Sequence, residues 1–212
     1  MTCAICGTRR PRRYCPGVRG DICTVCCGTE REVTVACPLD CEFLLEARKH
    51  DKPPAIGPEQ IPNRDIRVSE DFLEQNEPLL GHLGRIMLQA ALDGAGVVDS
   101  DVREAIAALI RTYRTLASGV YYETVPANPL AGRVYRSVQA GLEQFRRDER
   151  QQLGISKTRD ADVLGCLAFY ERLAMDTDNG RSRGRAFLGA LAGFYGGPPP
   201  SAPSATTSLI LP

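Results

Sequence analysis

The chain is 212 residues long, which is enough for one medium-sized domain and one small domain. Its 26 basic and 26 acidic residues balance, so no overall electric field draws it to nucleic acid or to a membrane surface. No stretch approaches the roughly 18 apolar residues that a membrane-spanning helix needs, and the N-terminus lacks a charged leader followed by an apolar run. We therefore expect a cytoplasmic protein that does not associate with membranes.

Most of the cysteines lie in the first quarter of the chain. A reducing cytosol keeps thiols free, so clustered cysteines indicate metal ligands rather than disulfides. Thiolates in groups of four close structural zinc sites, and paired cysteines a few residues apart are typical of them. The sequence therefore predicts two Zn²⁺ ions, bound by Cys3, Cys6, Cys15, Cys23, Cys26, Cys27, Cys37 and Cys41.

The first half of this segment contains two metal-binding knuckles. Cys3 and Cys6 are separated by two residues and followed by a glycine that permits a tight turn. Cys23 and Cys26 repeat that spacing. Between the knuckles, residues 13–15 are predicted to form a short strand that enters a turn.

The second half is predicted to be a strand followed by a helix. Residues 32–36 alternate polar and apolar side chains and are rich in β-branched ones, which is typical of a short strand. Pro38 fits the first position of a helix. Cys37 and Cys41 would then lie one helical turn apart and could face a single ion.

The adjacent Cys26 and Cys27 indicate which thiols share an ion. In extended backbone, neighbouring side chains point to opposite sides, so these two should serve different ions. The favoured arrangement is cross-braced, with one zinc on Cys3, Cys6, Cys23 and Cys26 and the other on Cys15, Cys27, Cys37 and Cys41. The alternative assignment, in which Cys26 and Cys27 are exchanged between the two ions, also fits the sequence. A nested arrangement, with the first and last pairs on one ion, would crowd both adjacent cysteines onto the other.

Two other uses of these cysteines compete with structural zinc. An iron–sulfur cluster is one, although the Cys-x-x-Cys-x-x-Cys run of ferredoxins is absent. A thiol redox switch that releases zinc on oxidation is the second. Catalytic zinc is disfavoured, because four thiolates leave no position for water.

One stretch of the sequence is similar to a known type of zinc module. The order Cys3-x-x-Cys6-Gly7, Tyr14-Cys15-Pro16 and Cys23-x-x-x-Cys27 resembles the HIT and MYND group of double-zinc fingers over residues 3–41. Val18 stands where that group has the ligand paired with Cys15, and the closing histidine is missing. Cys26 or Cys27 would therefore fill the gap. The resemblance implies a module that binds protein partners.

Two arginine clusters are candidate contacts for anions or for an acidic partner. They are Arg9, Arg10, Arg12 and Arg13, and Arg181, Arg183 and Arg185. The first cluster would also offset the negative charge of two four-thiolate zinc sites. The second is predicted to lie at a helix N-terminus, where backbone N–H groups favour anions. A solvated turn is the alternative for the second cluster.

Composition and periodicity divide the chain into four segments. Residues 1–50 form the predicted zinc-binding module, and the proline-rich residues 51–68 form a semi-rigid linker. Residues 69–195 show helical periodicity and are predicted to form a bundle. Residues 196–212 are rich in proline, serine and threonine and are predicted to be a disordered tail. The predicted fold class is mainly α: a small Cys-rich zinc-binding module followed by an all-α helical bundle.

Local capping signals predict where the helices of the bundle begin. The predicted first residues or caps are Ser69, Asp101, Asn128, Thr158 and, approximately, Ser182. Asp101 is assigned a capping box with the glutamate three residues later. Asn128 precedes a proline that suits the first helical position.

These observations favour a zinc-binding, non-enzymatic protein-interaction module of the adaptor or regulatory kind. We find no serine, histidine and acid grouping and no glycine-rich nucleotide-binding loop in the sequence. One alternative is a nucleic-acid-associated zinc protein that uses the arginine clusters. The other is a thiol and zinc redox sensor. The identity of a partner and the oligomeric state do not follow from the sequence.

Overall fold

The computed structural model describes residues 2–52, 54–120 and 122–196. Helices dominate these residues, and a Cys-rich cluster precedes the main helices, so the predicted fold class is confirmed. The predicted disordered tail lies outside the described residues, apart from Gly196.

The N-terminal module is built from a hairpin and two short helices. Strands β1 (Arg13–Cys15) and β2 (Gly20–Ile22) pair antiparallel, with Tyr14 opposite Asp21. Helix α1 (Thr24–Thr29) follows directly, and α2 (Glu42–Arg48) closes the module. The predicted strand at residues 13–15 is therefore confirmed.

Three local predictions for the module were wrong. Cys26 and Cys27 lie in helix α1 and not in extended backbone. Residues 32–36 form a tight loop, because the carbonyl oxygen of Glu30 accepts the backbone N–H groups of residues 33, 34 and 35. Helix α2 begins at Glu42, and Pro38 lies in the turn before it.

The second half of the chain forms a bundle of six helices among the described residues, preceded by a single 3₁₀ turn. The turn is Pro58–Gln60, and the helices are α3 (Glu70–Gln75), α4 (Glu77–Asp93), α5 (Asp99–Ala117), α6 (Pro129–Leu153), α7 (Asp160–Asp176) and α8 (Ala186–Tyr195). Helix α5 packs against α6 and α7, and α4 packs against α6 and α8. Their facing side chains make one apolar core, in which Leu83, Ile106, Val138, Leu167 and Leu191 are fully buried.

Two of the predicted helix caps are confirmed. The Ser69 hydroxyl accepts the backbone N–H of Phe72 at 3.2 Å. The Asn128 side-chain oxygen accepts the N–H of Leu130 at 2.9 Å. Each side chain therefore satisfies a backbone donor that the first turn of its helix leaves free.

Helices α5 and α7 begin at other residues than the sequence predicted. The carboxylate of Asp101 reaches back to the N–H of Val98 at 2.9 Å, so Asp101 is the third residue of α5 and not its cap. Thr158 does not cap α7, because its hydroxyl donates to Glu149. Asp162 instead accepts the N–H of Arg159 at the start of that helix.

The start of α8 was predicted too early. The helix begins at Ala186, where Asp99 accepts the backbone N–H groups of Phe187 and Leu188 at 2.9 and 3.0 Å. Residues 182–185 are drawn away from the helix toward the N-terminal module. The Ser182 hydroxyl, for example, donates to the carbonyl oxygen of Val33.

The predicted linker packs onto the bundle. Asn63, whose backbone is left-handed with φ of 51°, accepts a hydrogen bond from Arg114 and donates one to Glu171. Arg172 donates to the carbonyl oxygens of Asn63 and Ile66 at 2.8 Å. The C-terminal part of residues 51–68 is thus held against α5 and α7. The predicted limits of the segment stay a prediction.

None of the helices among the described residues combines the length and the apolar character that crossing a membrane requires.

Candidate metal centre

Four thiols of the module gather at one point. The sulfur atoms of Cys3, Cys6, Cys23 and Cys26 all lie within 4.8 Å of one another. Zinc–sulfur bonds of about 2.3 Å place the sulfurs of a tetrahedral site roughly 3.8 Å apart, so this group is close to the geometry that an ion would impose. These are the four cysteines that the sequence analysis assigned to one ion.

The local backbone brings the first knuckle to the hairpin. The N–H of Gly7 donates to the carbonyl oxygen of Cys3 at 2.8 Å, and Gly7 has φ of 66°, which its missing side chain permits. The N–H of Ala4 donates to the carbonyl oxygen of Asp21 in β2. Since Cys23 follows β2 directly, this bond places the first knuckle beside the second.

Helix α1 positions the second knuckle. Cys23 is the N-cap, and its sulfur accepts the backbone N–H of Cys26 at 3.4 Å. The N–H of Cys23 in turn donates to the sulfur of Cys3 at 3.2 Å. Backbone N–H groups aimed at sulfur stabilise the thiolate form, which is the form that binds metal.

Hydrogen bonds favour ionisation of two thiols in this group. The Thr8 hydroxyl, with the backbone N–H groups of Arg9 and Thr8, lowers the pKa of Cys6 to about 5. Burial raises the pKa of Cys3, but backbone N–H groups, including those of Cys6 and Cys23, outweigh it and the net change is downward.

A third thiol resists ionisation while its neighbours carry negative charge. Burial, followed by the sulfurs of Cys23, Cys6 and Cys3, raises the pKa of Cys26 to about 12. A divalent cation at the centre of the group would remove this repulsion, because it attracts all four thiolates at once. The donor set therefore fits a metal ion.

The other four predicted ligands line a small cavity, called here the second cavity because it belongs to the second predicted ion. Its volume is about 20 Å³, and its walls include the side chains of Cys15, Cys27, Cys37 and Cys41. A single water needs about 10–15 Å³ by the same kind of measure, so the cavity has room for one atom-sized occupant. Among the described residues, only the first group has all four sulfurs within 4.8 Å. A metal ion at the second group stays a prediction.

Cys26 and Cys27 face different groups even though both lie on α1. Cys26 belongs to the first group, and Cys27 lines the second cavity. Successive side chains on a helix are separated by about 100° of rotation, so adjacent cysteines on a helix also point in different directions. The geometry matches the cross-braced assignment and not the nested one for the first four thiols.

Two arginines supply positive charge beside the second cavity. Arg13 and Arg31 donate to the sulfur of Cys27 at 3.8 and 3.9 Å. The guanidinium carbon of Arg13 also lies 3.8 Å from the centre of the Phe43 ring, which holds it in place. Positive charge at these positions offsets thiolate charge.

The remaining residues of the first arginine cluster divide between the two hypotheses made for it. Arg9 is exposed but lies near the first group, since the sulfurs of Cys23 and Cys6 raise the pKa of its guanidinium. Arg10 and Arg12 are exposed to solvent. Arg9 and Arg13 thus lie beside thiols, while contact of Arg10 and Arg12 with an anion or a partner stays a prediction.

The second arginine cluster lies against the module. Arg181 donates to the carbonyl oxygen of Arg31 at 3.2 Å, and the backbone N–H of Arg185 donates to the Glu32 carboxylate at 2.9 Å. The side chain of Arg183 is exposed. Asp99 already accepts backbone N–H groups at the N-terminus of α8, so this helix end is not a free anion site as predicted. Contact of the three arginines with an anion or an acidic partner stays a prediction.

Arg31 and Glu32 were not among the residues predicted from the sequence. Glu32 was interpreted as the polar side of a strand, yet its side chain is 0% exposed. Two of its partners, Asn179 and Arg185, lie 147 and 153 residues away in the chain. No local pattern signals a contact of that range. Arg31 is recognisable only once the fold places it beside Cys27.

Comparison with known proteins adds no relative: no family model, curated protein or solved structure matches this chain.

Proposed function

We propose that the chain is a non-enzymatic protein-interaction module of the adaptor or regulatory kind, held together at its N-terminus by two zinc ions. The observation that carries this proposal is the gathering of four cysteine sulfurs within 4.8 Å of one another. Four thiolates complete the coordination of a tetrahedral zinc ion and leave no position for water or substrate. Such a site is typical of a structural role.

The second zinc ion is proposed to bind the thiols of Cys15, Cys27, Cys37 and Cys41. Two features support it: these side chains line one cavity of atomic size, and arginines stand beside it. With this ion the module would be a double-zinc finger of the kind that the HIT and MYND resemblance implies. That resemblance supports a protein as the partner.

The outer face of the hairpin is the proposed contact surface. Alternation along β1 turns Cys15 inward and Tyr14 outward, and Tyr14 is 60% exposed. Arg12, also exposed, lies two residues before it and on the same face. An exposed aromatic side chain beside an arginine is a typical anchor of protein interfaces.

The nucleic-acid alternative has less support than the sequence analysis gave it. Arg9 and Arg13 face thiols, while Arg181 contacts the module. Of the two clusters, the exposed members are Arg9, Arg10, Arg12 and Arg183, which is a small number for a polyanion-binding surface.

Metal analysis of the purified chain tests the zinc part of the proposal. We expect two zinc ions per chain, with one lost in Cys23→Ser and the other lost in Cys37→Ser. A metal-free protein, or one that contains iron, would contradict the proposal. Zinc release by mild peroxide at physiological pH would favour the redox sensor.

Quantitative pull-down from native cells tests the adaptor part. The Tyr14→Ser variant should lose the partner protein. Leu153→Ser is the matched control, because Leu153 is the C-terminal residue of α6 and is 53% exposed. Recovery of nucleic acid that is released steeply by added salt, with no enriched protein, would favour the alternative.

A further inference from the structure

A fully buried carboxylate joins the zinc module to the bundle. The side chain of Glu32 is 0% exposed, and its backbone has φ of 53°, a left-handed conformation that non-glycine residues rarely adopt. A buried charge and an unusual backbone persist only where the surroundings compensate for both. The hydrogen-bond partners of Glu32 therefore indicate which structural role this position has.

The bundle supplies most of that compensation. One carboxylate oxygen of Glu32 accepts the backbone N–H of Arg185 at 2.9 Å, and the other accepts the side-chain N–H of Asn179 at 2.9 Å. The carbonyl oxygen of Glu32 accepts the N–H of Arg183 at 2.8 Å. From the module itself, Arg48 donates to the carboxylate at 2.9 Å.

The residue next to Glu32 faces the second cavity. Arg31 is one of the residues that line it, and its guanidinium donates to the sulfur of Cys27, one of the proposed ligands. The carbonyl oxygen of Arg31 accepts a hydrogen bond from the side chain of Arg181 in the bundle. Residues 31 and 32 thus connect a proposed ligand on one side to the bundle on the other.

The loop that docks on the bundle is bounded by two proposed ligands. Residues 28–36 lie between Cys27 and Cys37, so a metal ion bound to both would close the loop and limit its conformations. Leu39, which packs against the bundle core, lies between Cys37 and Cys41. Among the described residues, no hydrogen bond to the bundle comes from the part of the chain that holds the first thiol group.

We infer that occupancy of the second metal site holds loop 28–36 in the conformation that docks the module on the bundle through Glu32, so that loss of this ion alone releases the two parts. The inference rests on the proposed two-zinc function. With the ion bound, the loop presents Glu32 to Arg183 and Arg185. Without it, the left-handed backbone of Glu32 is no longer held, and the buried carboxylate moves to water.

Hydrogen exchange of the full-length chain tests the inference, because two docking contacts are backbone N–H groups. Cys15→Ser removes a ligand of the second site on β1, without touching the docking loop. We expect it to retain one zinc ion and to speed amide exchange at Arg183 and Arg185 at least about tenfold. Amides of α5 should stay protected, which shows that the bundle remains folded.

Two further variants separate the possible causes. Cys6→Ser, the matched control in the first group, should also lose one ion but keep Arg183 and Arg185 protected. Glu32→Gln should keep both ions and still speed exchange at Arg185. Unchanged exchange in Cys15→Ser after loss of its ion, or equal loss of protection in Cys6→Ser, would overturn the inference and leave the zinc proposal standing. A wild-type chain with fewer than two ions would overturn both.

Discussion

The guanidinium group of Arg48 lies directly against Gly189 of α8. A Cβ atom at position 189 would clash with Nη1 of Arg48, so the glycine is what allows this side chain to cross the helix. Arg48 is held there by hydrogen bonds to Glu32 and to the carbonyl oxygen of Arg185. The position of Arg48 in the contact between module and bundle therefore depends on a missing side chain.

Gly189→Ala should weaken this contact. The methyl group displaces Arg48 and leaves the buried carboxylate of Glu32 without its close cation, at a cost of about 1–3 kcal/mol in the free energy of unfolding. Chemical denaturation measures the change. Gly193→Ala is the control on the same helix, because a Cβ there meets no atom within 4 Å. It should be neutral or stabilising by up to about 1 kcal/mol. Equal effects of the two substitutions would contradict the role given to Gly189.

Asp99 should make stability depend on pH. Burial raises the pKa of its carboxyl to about 6, while the N–H groups of Leu188 and Phe187 and the charge of Arg48 oppose the rise and the charge of Glu32 adds to it. A carboxyl whose folded-state pKa exceeds the unfolded one stabilises the fold most when protonated. Its contribution is complete below about pH 4 and is lost as the pH rises through 6, by about 3 kcal/mol for a two-unit shift.

Comparison of wild type with Asp99→Asn between pH 4 and 7.5 measures that contribution. Contributions from the metal sites and from other carboxyls are common to both proteins and cancel in the difference. The wild type should lose stability relative to the variant as the pH rises. A difference that stays constant with pH would show that Asp99 titrates with an ordinary pKa.

The parts of the fold that the sequence predicted are those that short-range chemistry determines. The spacing of Cys3, Cys6, Cys23 and Cys26 was enough to predict a shared site, because knuckles place their sulfurs locally. Ser69 was recognised as a cap for the same reason, since its partner lies three residues away.

The parts that could not be predicted depend on distant residues. The start of α8 at Ala186 is set by Asp99, which lies on another helix and competes with the expected cap near Ser182. Loop 32–36 has the composition of a strand, but Glu32 finds partners at Asn179 and Arg185 and no neighbouring strand. In both cases tertiary contacts override the local pattern.

Chelation of metal from the full chain should unfold the module and leave the bundle helical. The module buries few large apolar side chains, among them Ile22 and Leu44. That burial cannot offset an ordering cost of about 1–2 kcal/mol per residue, whereas a structural zinc contributes about 10–16 kcal/mol. The far-UV circular dichroism should therefore keep most of its helical signal, while NMR resonances of residues 2–49 collapse to unfolded positions. Dispersed module resonances in excess chelator would refute metal-dependent folding.

Arg31→Gln should weaken the second metal site selectively. The guanidinium donates to the sulfur of Cys27, so its loss removes positive charge and a hydrogen bond from a thiolate ligand. Groups that support a ligand in this way typically change metal affinity by about 10–100-fold, and we expect a loss of about tenfold for one of the two zinc ions. Competition with a chromophoric chelator measures both affinities. Arg12→Gln is the control, because Arg12 is exposed on the outer face of the hairpin and should leave both affinities unchanged. If Arg31→Gln binds two ions as tightly as the wild type, the arginine does not support a metal ligand, and the charge argument for a second ion fails.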